Sequence, residues 1–147
     1  MKDFKDYDPT LAAPLVREFE GLNLKAYRCP AGVLTIGYGH TYGVEEGDTV
    51  TQDEAERILK RDLKGFAAET AQYVKVPVTE GQYIAILDFV FNFGVSKFRH
   101  STFLKKLNFG DYDGAGKEIL KWKYSNGKVL PGLERRRKSE YDLFMEG

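Results

Sequence analysis

Chemistry in this chain can start from one carboxylate. Glu20 stands directly before Gly21, at the end of a run in which Leu11, Leu15, Val16 and Phe19 recur at helical spacing, so a helix is predicted over 10–20. A carboxyl at a helix C-terminus faces the negative end of the helix dipole, which favours its protonated form. An acid held ready to donate a proton is what glycoside hydrolysis requires. From position alone, a solvated glutamate beside a helix-ending glycine is the plainer reading. No further Asp or Glu occurs until Glu45, so a carboxylate pair within the segment that follows is excluded. What that segment offers instead is Cys29 and Thr35, both near predicted strand–turn boundaries where side chains can reach a cleft.

The elements that must position these groups change texture at Gly21. A glycine-rich stretch follows, with short apolar runs at 24–27, 33–36 and 38–40 that read as three strands, the first turn being Cys29-Pro30-Ala31-Gly32. Its glycines permit tight turns or a close backbone approach to another group. Gly37-Tyr38-Gly39-His40 lacks the lysine and serine of a phosphate loop. Two histidines sixty residues apart and one cysteine give no metal-ligand spacing, and no G-x-S-x-G elbow is present. His40 reads as an internally hydrogen-bonded or salt-bridged residue. Helix resumes at Thr51, where Thr51 and Glu54 form a capping box, and again at Thr79 with Gln82. The second of these helices is apolar on nearly all sides, which marks it as central and buried. Ser101 and Asp111 are predicted to cap short helices through 107 and 122, Pro131-Gly132 to break the chain, and 133–144 to form the last helix. The fold class is therefore α+β, a small glycine-rich antiparallel sheet beside a larger helical lobe with a cleft between them. One domain over 1–147 is expected: a β-rich lobe at about 21–50, a bridging helix at about 51–73, and a helical lobe at about 78–147 completed by the N-terminal helix.

Composition narrows the function classes. At 147 residues the chain suits one domain that buries roughly 70% of its unfolded surface. Twenty-two Lys plus Arg balance 22 Asp plus Glu, which disfavours a whole-surface polyanion binder. The balance conceals a split: residues 1–95 carry 10 basic and 15 acidic side chains, residues 96–147 carry 12 and 7. A single cysteine excludes an internal disulfide framework. The first ten residues alternate Lys and Asp without an apolar core, so no secretory signal is expected, and no run approaches the ~18 apolar residues of a membrane span. The expected location is the cytoplasm of the producing cell.

The run from Phe19 to Thr41, F-E-G-L-N-L-K-A-Y-R-C-P-A-G-V-L-T-I-G-Y-G-H-T, resembles the signature of phage-type lysozymes, glycoside hydrolase family 24, the endolysins and their prophage relatives. Glu, eight residues, Cys, five residues, Thr falls on Glu20, Cys29 and Thr35; joined to E-G and T-I-G-Y-G-H-T the pattern is specific. Further matches run through V-P-V-T at 76–79, F-N-F-G at 91–94 and L-P-G-L-E-R-R-R at 130–137. The resemblance implies a lysozyme-like fold and hydrolysis of the β-1,4 bond between N-acetylmuramic acid and N-acetylglucosamine in peptidoglycan, with no cofactor. It implies Glu20 as general acid and Thr35 as holder of the attacking water. Cys29 stands where relatives carry aspartate; a thiol is mostly neutral at pH 7 and a poor base unless a neighbour such as Arg28 favours its thiolate, in which case it takes the aspartate's role, the alternative being that it only packs. Sugar contacts would fall on Thr41, Phe91, Asn92 and Ser101; His40 would be structural, and one of Arg135 or Arg136 would orient Glu20. The enzyme would be a monomer, would not insert stably in membranes or bind nucleic acid, and would need a holin-type lesion to reach the wall.

Rival readings remain within reach of the same residues. A lytic transglycosylase also works with one catalytic glutamate, and a non-catalytic peptidoglycan-binding module would keep the aromatics without needing Glu20 and Thr35 at this spacing. The Arg135–Lys138 run reads as a solvated basic face, suited to an anionic wall polymer more than to nucleic acid.

Overall fold

The computed structural model describes residues 1–146. Two 3-10 turns, Phe4–Asp6 and Pro9–Ala12, precede helix α1, Ala13–Glu20. The predicted helix start at 10 is thus a 3-10 turn, capped by the Asp8 carboxylate accepting the Thr10 N–H and opened by Pro9, before the α-helix begins. Gly21 ends α1 at φ 69°, its N–H donating to the Arg17 carbonyl at 3.0 Å.

Strands β1, Asn23–Arg28, and β2, Leu34–Gly37, form an antiparallel pair that sets Tyr27 opposite Thr35 and Arg28 opposite Leu34. The third predicted strand, at 38–40, is not a strand. Gly37 and Gly39 take positive φ of 64° and 74°, and the chain folds back so tightly that Ile36 and His40 exchange two 2.9 Å backbone hydrogen bonds. The outer partner of β1 comes from further along: Ala26 N–H donates to the Asp48 carbonyl and Val50 N–H to the Leu24 carbonyl, each at 2.9 Å.

Helix α2, Gln52–Ala71, and helix α3, Glu80–Phe93, both open with complete capping boxes, as their sequences predict. Then come α4, Val95–Arg99, which the apolar pattern did not announce, α5, Thr102–Asn108, and α6, Tyr112–Ile119. Ser101 and Asp111 cap the last two by accepting the N–H of Leu104 and of Gly114; α6 stops short of Trp122. A two-residue hairpin, β3 at Tyr124–Ser125 and β4 at Lys128–Val129, turns through Asn126 and Gly127, both left-handed. Helix α7, Pro131–Glu146, follows. Pro131 therefore opens a helix instead of breaking the chain, because the missing N–H is harmless in a first turn.

The core gathers around α3. Ile86, Leu87, Phe89 and Val90 are fully buried and pack with Leu59 and Leu63 of α2, Phe103 and Leu107 of α5 and Phe144 of α7. Each such side chain contributes about 1.5–3 kcal/mol by burial. Phe89 meets Phe103 and Trp122 edge-on at centroid distances of 5.1 Å. Helices α3 and α7 lie against each other along this core, and α1 ends beside them.

Candidate active site

Glu20 reaches the site from the last turn of α1, with its side chain 20% exposed. Its Oε2 accepts a 2.7 Å hydrogen bond from Nη1 of Arg136 on α7. On another side lies the backbone of Gly39: a Cβ there would fall 2.6 Å from Glu20 Oε1 and 2.8 Å from its Cδ. The tight 36–40 turn thus presses main chain against the carboxyl, which only a glycine allows. His40 and Tyr38 secure this turn to α2. His40 Nδ1 lies 2.6 Å from Asp62 Oδ2, and the Tyr38 hydroxyl donates to Glu56 at 3.0 Å, where Arg17 of α1 also binds.

The β1–β2 hairpin presents the other two candidates. The Cys29 thiol sits among the N–H groups of its turn. The Val33 N–H, against the opposing effect of burial, and with help from the Ala31 N–H and the Thr35 hydroxyl, holds the thiol below its ordinary value. Arg28 is not the cause proposed for it. Its guanidinium turns to the Gly32 carbonyl and to Glu46, each at 3.0 Å. Thr35 is buried, and its hydroxyl donates to the Val33 carbonyl at 3.0 Å. Tyr27, across the sheet from Thr35, joins the group: burial first, then the charges of Glu20 and Cys29, hold its phenol above the ordinary value. Tyr27 thus feels the charges of both Glu20 and Cys29 while it pairs with Thr35 across the sheet.

Behind Glu20 stands a network of buried ions. Arg136 Nε and Nη2 donate to the two carboxylate oxygens of Asp88 on α3, both at 2.9 Å. Arg137 grips Glu140 in the same two-pronged way at 2.7 Å and donates to Asn92 Oδ1 at 2.9 Å. Its guanidinium also lies 4.5 Å from the ring centre of Phe93. Asp88, Arg137 and Glu140 are 0% exposed and Arg136 5%. The Arg135–Lys138 run is accordingly not a solvated basic face. Two of its four cations are spent inside the protein, and Lys138 pairs with Asp142 at 2.6 Å.

Of the remaining candidates, Asn92 is tied to this network through Arg137, whereas Arg135 is exposed, so Arg136 is the arginine that meets Glu20. Thr41 is exposed just past the tight turn, and Phe91 packs edge-on against Phe66 at 5.5 Å. Ser101 is buried as a helix cap, its hydroxyl donating to the Phe98 carbonyl and accepting the Leu104 N–H, in a recess with Arg99, His100 and Phe109. Four residues of this neighbourhood were not among the sequence candidates for the site: Tyr27, Asp88, Arg137 and Glu140. The signal for Asp88 was present, since a lone acid inside Y-I-A-I-L-D-F-V-F must have a buried partner. Among the described residues, no group of three His, Cys, Asp or Glu side chains is placed to hold a metal ion, and no helix is long and apolar enough to cross a membrane.

Residues 17–140 match the family model described as phage lysozyme. An endolysin of Acyrthosiphon pisum secondary endosymbiont phage 1 is 49% identical over 134 residues, covering 88% of this chain and 92% of that protein. Among solved structures, the muramidase domain of SpmX from Asticaccaulis excentricus superposes with a TM-score of 0.83 at 36% identity, covering 91% of this chain and 94% of its own. An endolysin from Escherichia coli O157:H7 phage FAHEc1 gives 0.81 at 33% identity, covering 92% and 91%.

Proposed function

The chain belongs to the phage lysozyme family, and from that premise we propose how its site works. It is a peptidoglycan hydrolase, a glycosidase that cuts the β-1,4 bond between N-acetylmuramic acid and N-acetylglucosamine. Glu20 is the general acid that protonates the departing glycosidic oxygen. The observation that carries this assignment is its confinement between the Arg136 guanidinium and the Gly39 backbone, beside the hairpin that bears Cys29 and Thr35. Such confinement orients one oxygen toward the bond and removes the cost of positioning it. Thr35 holds the attacking water on the opposite face of the sugar. Cys29 takes the place of a second carboxylate, and the N–H groups around its sulfur favour the thiolate that could steer this water. Thr41, Phe91 and Asn92 contact sugar; Ser101, whose hydroxyl is committed to the start of α5, supports that wall of the cleft chiefly as a cap.

The enzyme acts as a monomer and reaches the wall through a holin-type membrane lesion. Fractionating producing cells with and without a co-expressed holin checks this: wall digestion in intact, holin-free cells contradicts it.

A single carboxylate at the reacting bond also suits a lytic transglycosylase, which closes an anhydro ring instead of adding water. Mass spectrometry of products from purified peptidoglycan separates the two. Hydrolysis gives muropeptides with new reducing ends that carry one added water; anhydro products alone overturn the hydrolase reading, and no products at all leave only a binding module.

A further inference from the structure

With Arg136 and Arg137 matched inside the protein, free positive charge in the C-terminal third gathers at one corner. No Asp or Glu occurs between Asp88 and Asp111, whereas Lys97, Arg99, Lys105 and Lys106 do. Arg99, His100, Lys105 and Phe109 line a recess of about 580 Å³ that no carboxylate lines. Asn108, on the same recess, ties Lys75 to it: its Oδ1 accepts the Lys75 backbone N–H and its Nδ2 donates to the Tyr73 carbonyl, both at 2.8 Å. Among the described residues, Lys75, Arg99 and Lys105 pair with no carboxylate. The Lys75 ammonium meets the Gln72 carbonyl at 2.6 Å, and Arg99 lies over the Tyr73 ring, 5.6 Å from its centre. The acids next along the chain are engaged: Asp111 caps α6, Asp113 binds Lys117, and Glu118 binds Lys106 and Lys121.

Phe109 stands out among these cations. It is 90% exposed, the most exposed large apolar side chain among the described residues. The exposure is built into the end of α5. The Phe109 N–H donates to the Lys105 carbonyl at 3.1 Å, Gly110 to Leu107 at 2.9 Å and Asp111 to Lys106 at 3.0 Å, with Gly110 at φ 87° closing the helix. Leu104 and Leu107 hold the opposite face of α5 in the core. A phenyl ring has no polar tip for water to satisfy, so one fixed outward gains free energy only when apolar matter covers it.

We propose that the end of α5, with Phe109 as its apolar wedge and Lys75, Arg99 and Lys105 around it, is a docking surface for an anionic phospholipid bilayer. The ring enters the boundary between headgroups and acyl chains, and the cations meet lipid phosphates. Each cation near such a surface strengthens binding about fivefold, so one ring and three cations give reversible contact and not insertion. A nucleic acid fits less well: a single ring offers no run of stacking platforms, and the 22 basic and 22 acidic side chains of the chain balance. This surface is independent of Glu20 and of the reaction assigned to it.

The test is co-sedimentation of the full chain with vesicles of phosphatidylglycerol and phosphatidylcholine in equal parts, and with vesicles of phosphatidylcholine alone. Wild type should bind the mixed vesicles, release them at high salt and leave pure phosphatidylcholine unbound. The triple variant Lys75→Gln, Arg99→Gln, Lys105→Gln should bind on the order of 100-fold more weakly, and Phe109→Ser at least about tenfold more weakly. The same loss of charge made elsewhere, in Lys5→Gln, Lys60→Gln, Lys64→Gln beside Phe4 and Tyr83, should leave binding as in wild type. Phe109→Trp adds a reporter to Trp122, and its added emission should move to the blue on mixed vesicles only. No binding by wild type, equal losses in the two triple variants, no loss in Phe109→Ser, or no blue shift overturns the proposal. Binding of a single-stranded oligonucleotide in place of vesicles, lost in the first triple variant, overturns it in favour of nucleic acid. All of these side chains are exposed or half-buried, and the readout needs no turnover, so an active Glu20→Gln enzyme would remove the acid assignment and leave this result in place.

Discussion

Two regions meet at Glu20. On one side the 21–50 segment presents Tyr27, Cys29 and Thr35 from a two-stranded hairpin and presses Gly39 against the carboxyl; most of its side chains are exposed or half-buried. On the other, α3 and α7 bring Asp88, Arg136, Arg137 and Glu140 together without solvent, inside the same packing that buries Phe89 and Phe144. The hairpin places reacting groups by backbone shape, through positive φ and turn N–H groups. The helix pair places charge by burial, where a missing partner costs several kcal/mol and the arrangement is therefore rigid. Changes in the hairpin should move rate more than stability, and changes in the helical part the reverse.

The sharpest way to break that contrast is Gly39→Ala. Its Cβ would overlap Glu20 and its φ of 74° disfavours any side chain. Displacing the carboxyl by an ångström should lower kcat on the order of 100-fold, with a stability cost of about 1–2 kcal/mol. Wall-turbidity assays alongside thermal unfolding read both. A smaller effect is expected at Cys29. Cys29→Ala should lose roughly tenfold in activity, less than the ~10² of a full acid–base partner, and Cys29→Asp should recover it; full activity in the alanine variant would retire any chemical role for the thiol.

On the helical side, the prediction concerns stability. The Glu140 carboxyl binds its proton more tightly folded than unfolded, because burial and Asp88 raise it. The folded state then holds the extra proton above the unfolded value near 4.3, so stability present at lower pH is lost as pH rises toward the folded value. Asp88, held low, acts oppositely, losing its contribution only as pH falls below about 4. Urea unfolding between pH 5 and 8 should therefore show an unfolding constant rising by at most about tenfold per pH unit, a slope that Glu140→Gln reduces. The smallest effect belongs to Ser101→Ala, which removes a cap and should cost about 1 kcal/mol with kcat little changed.

Much of this division was legible in the sequence. Both capping boxes, the Ser101 and Asp111 caps, the central apolar helix and the Glu20–Cys29–Thr35 spacing could be read directly, because each depends on local residue types. The third strand could not: whether Tyr38 and His40 extend a sheet or close a turn depends on Gly37 meeting Ala55 of α2 and Gly39 meeting Glu20 of α1, contacts between separate segments. The Asn126-Gly127 hairpin carried a readable turn signal that went unused. The buried network was hidden for a different reason. In sequence, Arg135, Arg136, Arg137 and Lys138 look equivalent, and only helix phase against α3 decides which two point inward. The apparent basic half of the chain shrinks accordingly once Arg136 and Arg137 are matched with Asp88, Glu20 and Glu140.

The role of Glu20 is decided by digestion of purified peptidoglycan by Glu20→Gln, with reducing-end release and product mass compared with wild type and folding checked by circular dichroism. Glu20→Gln keeps the shape and the contact to Arg136 but has no proton to give, so it should fold as wild type and release reducing ends at least ~10²-fold more slowly. Release at the wild-type rate would rule out Glu20 as the general acid.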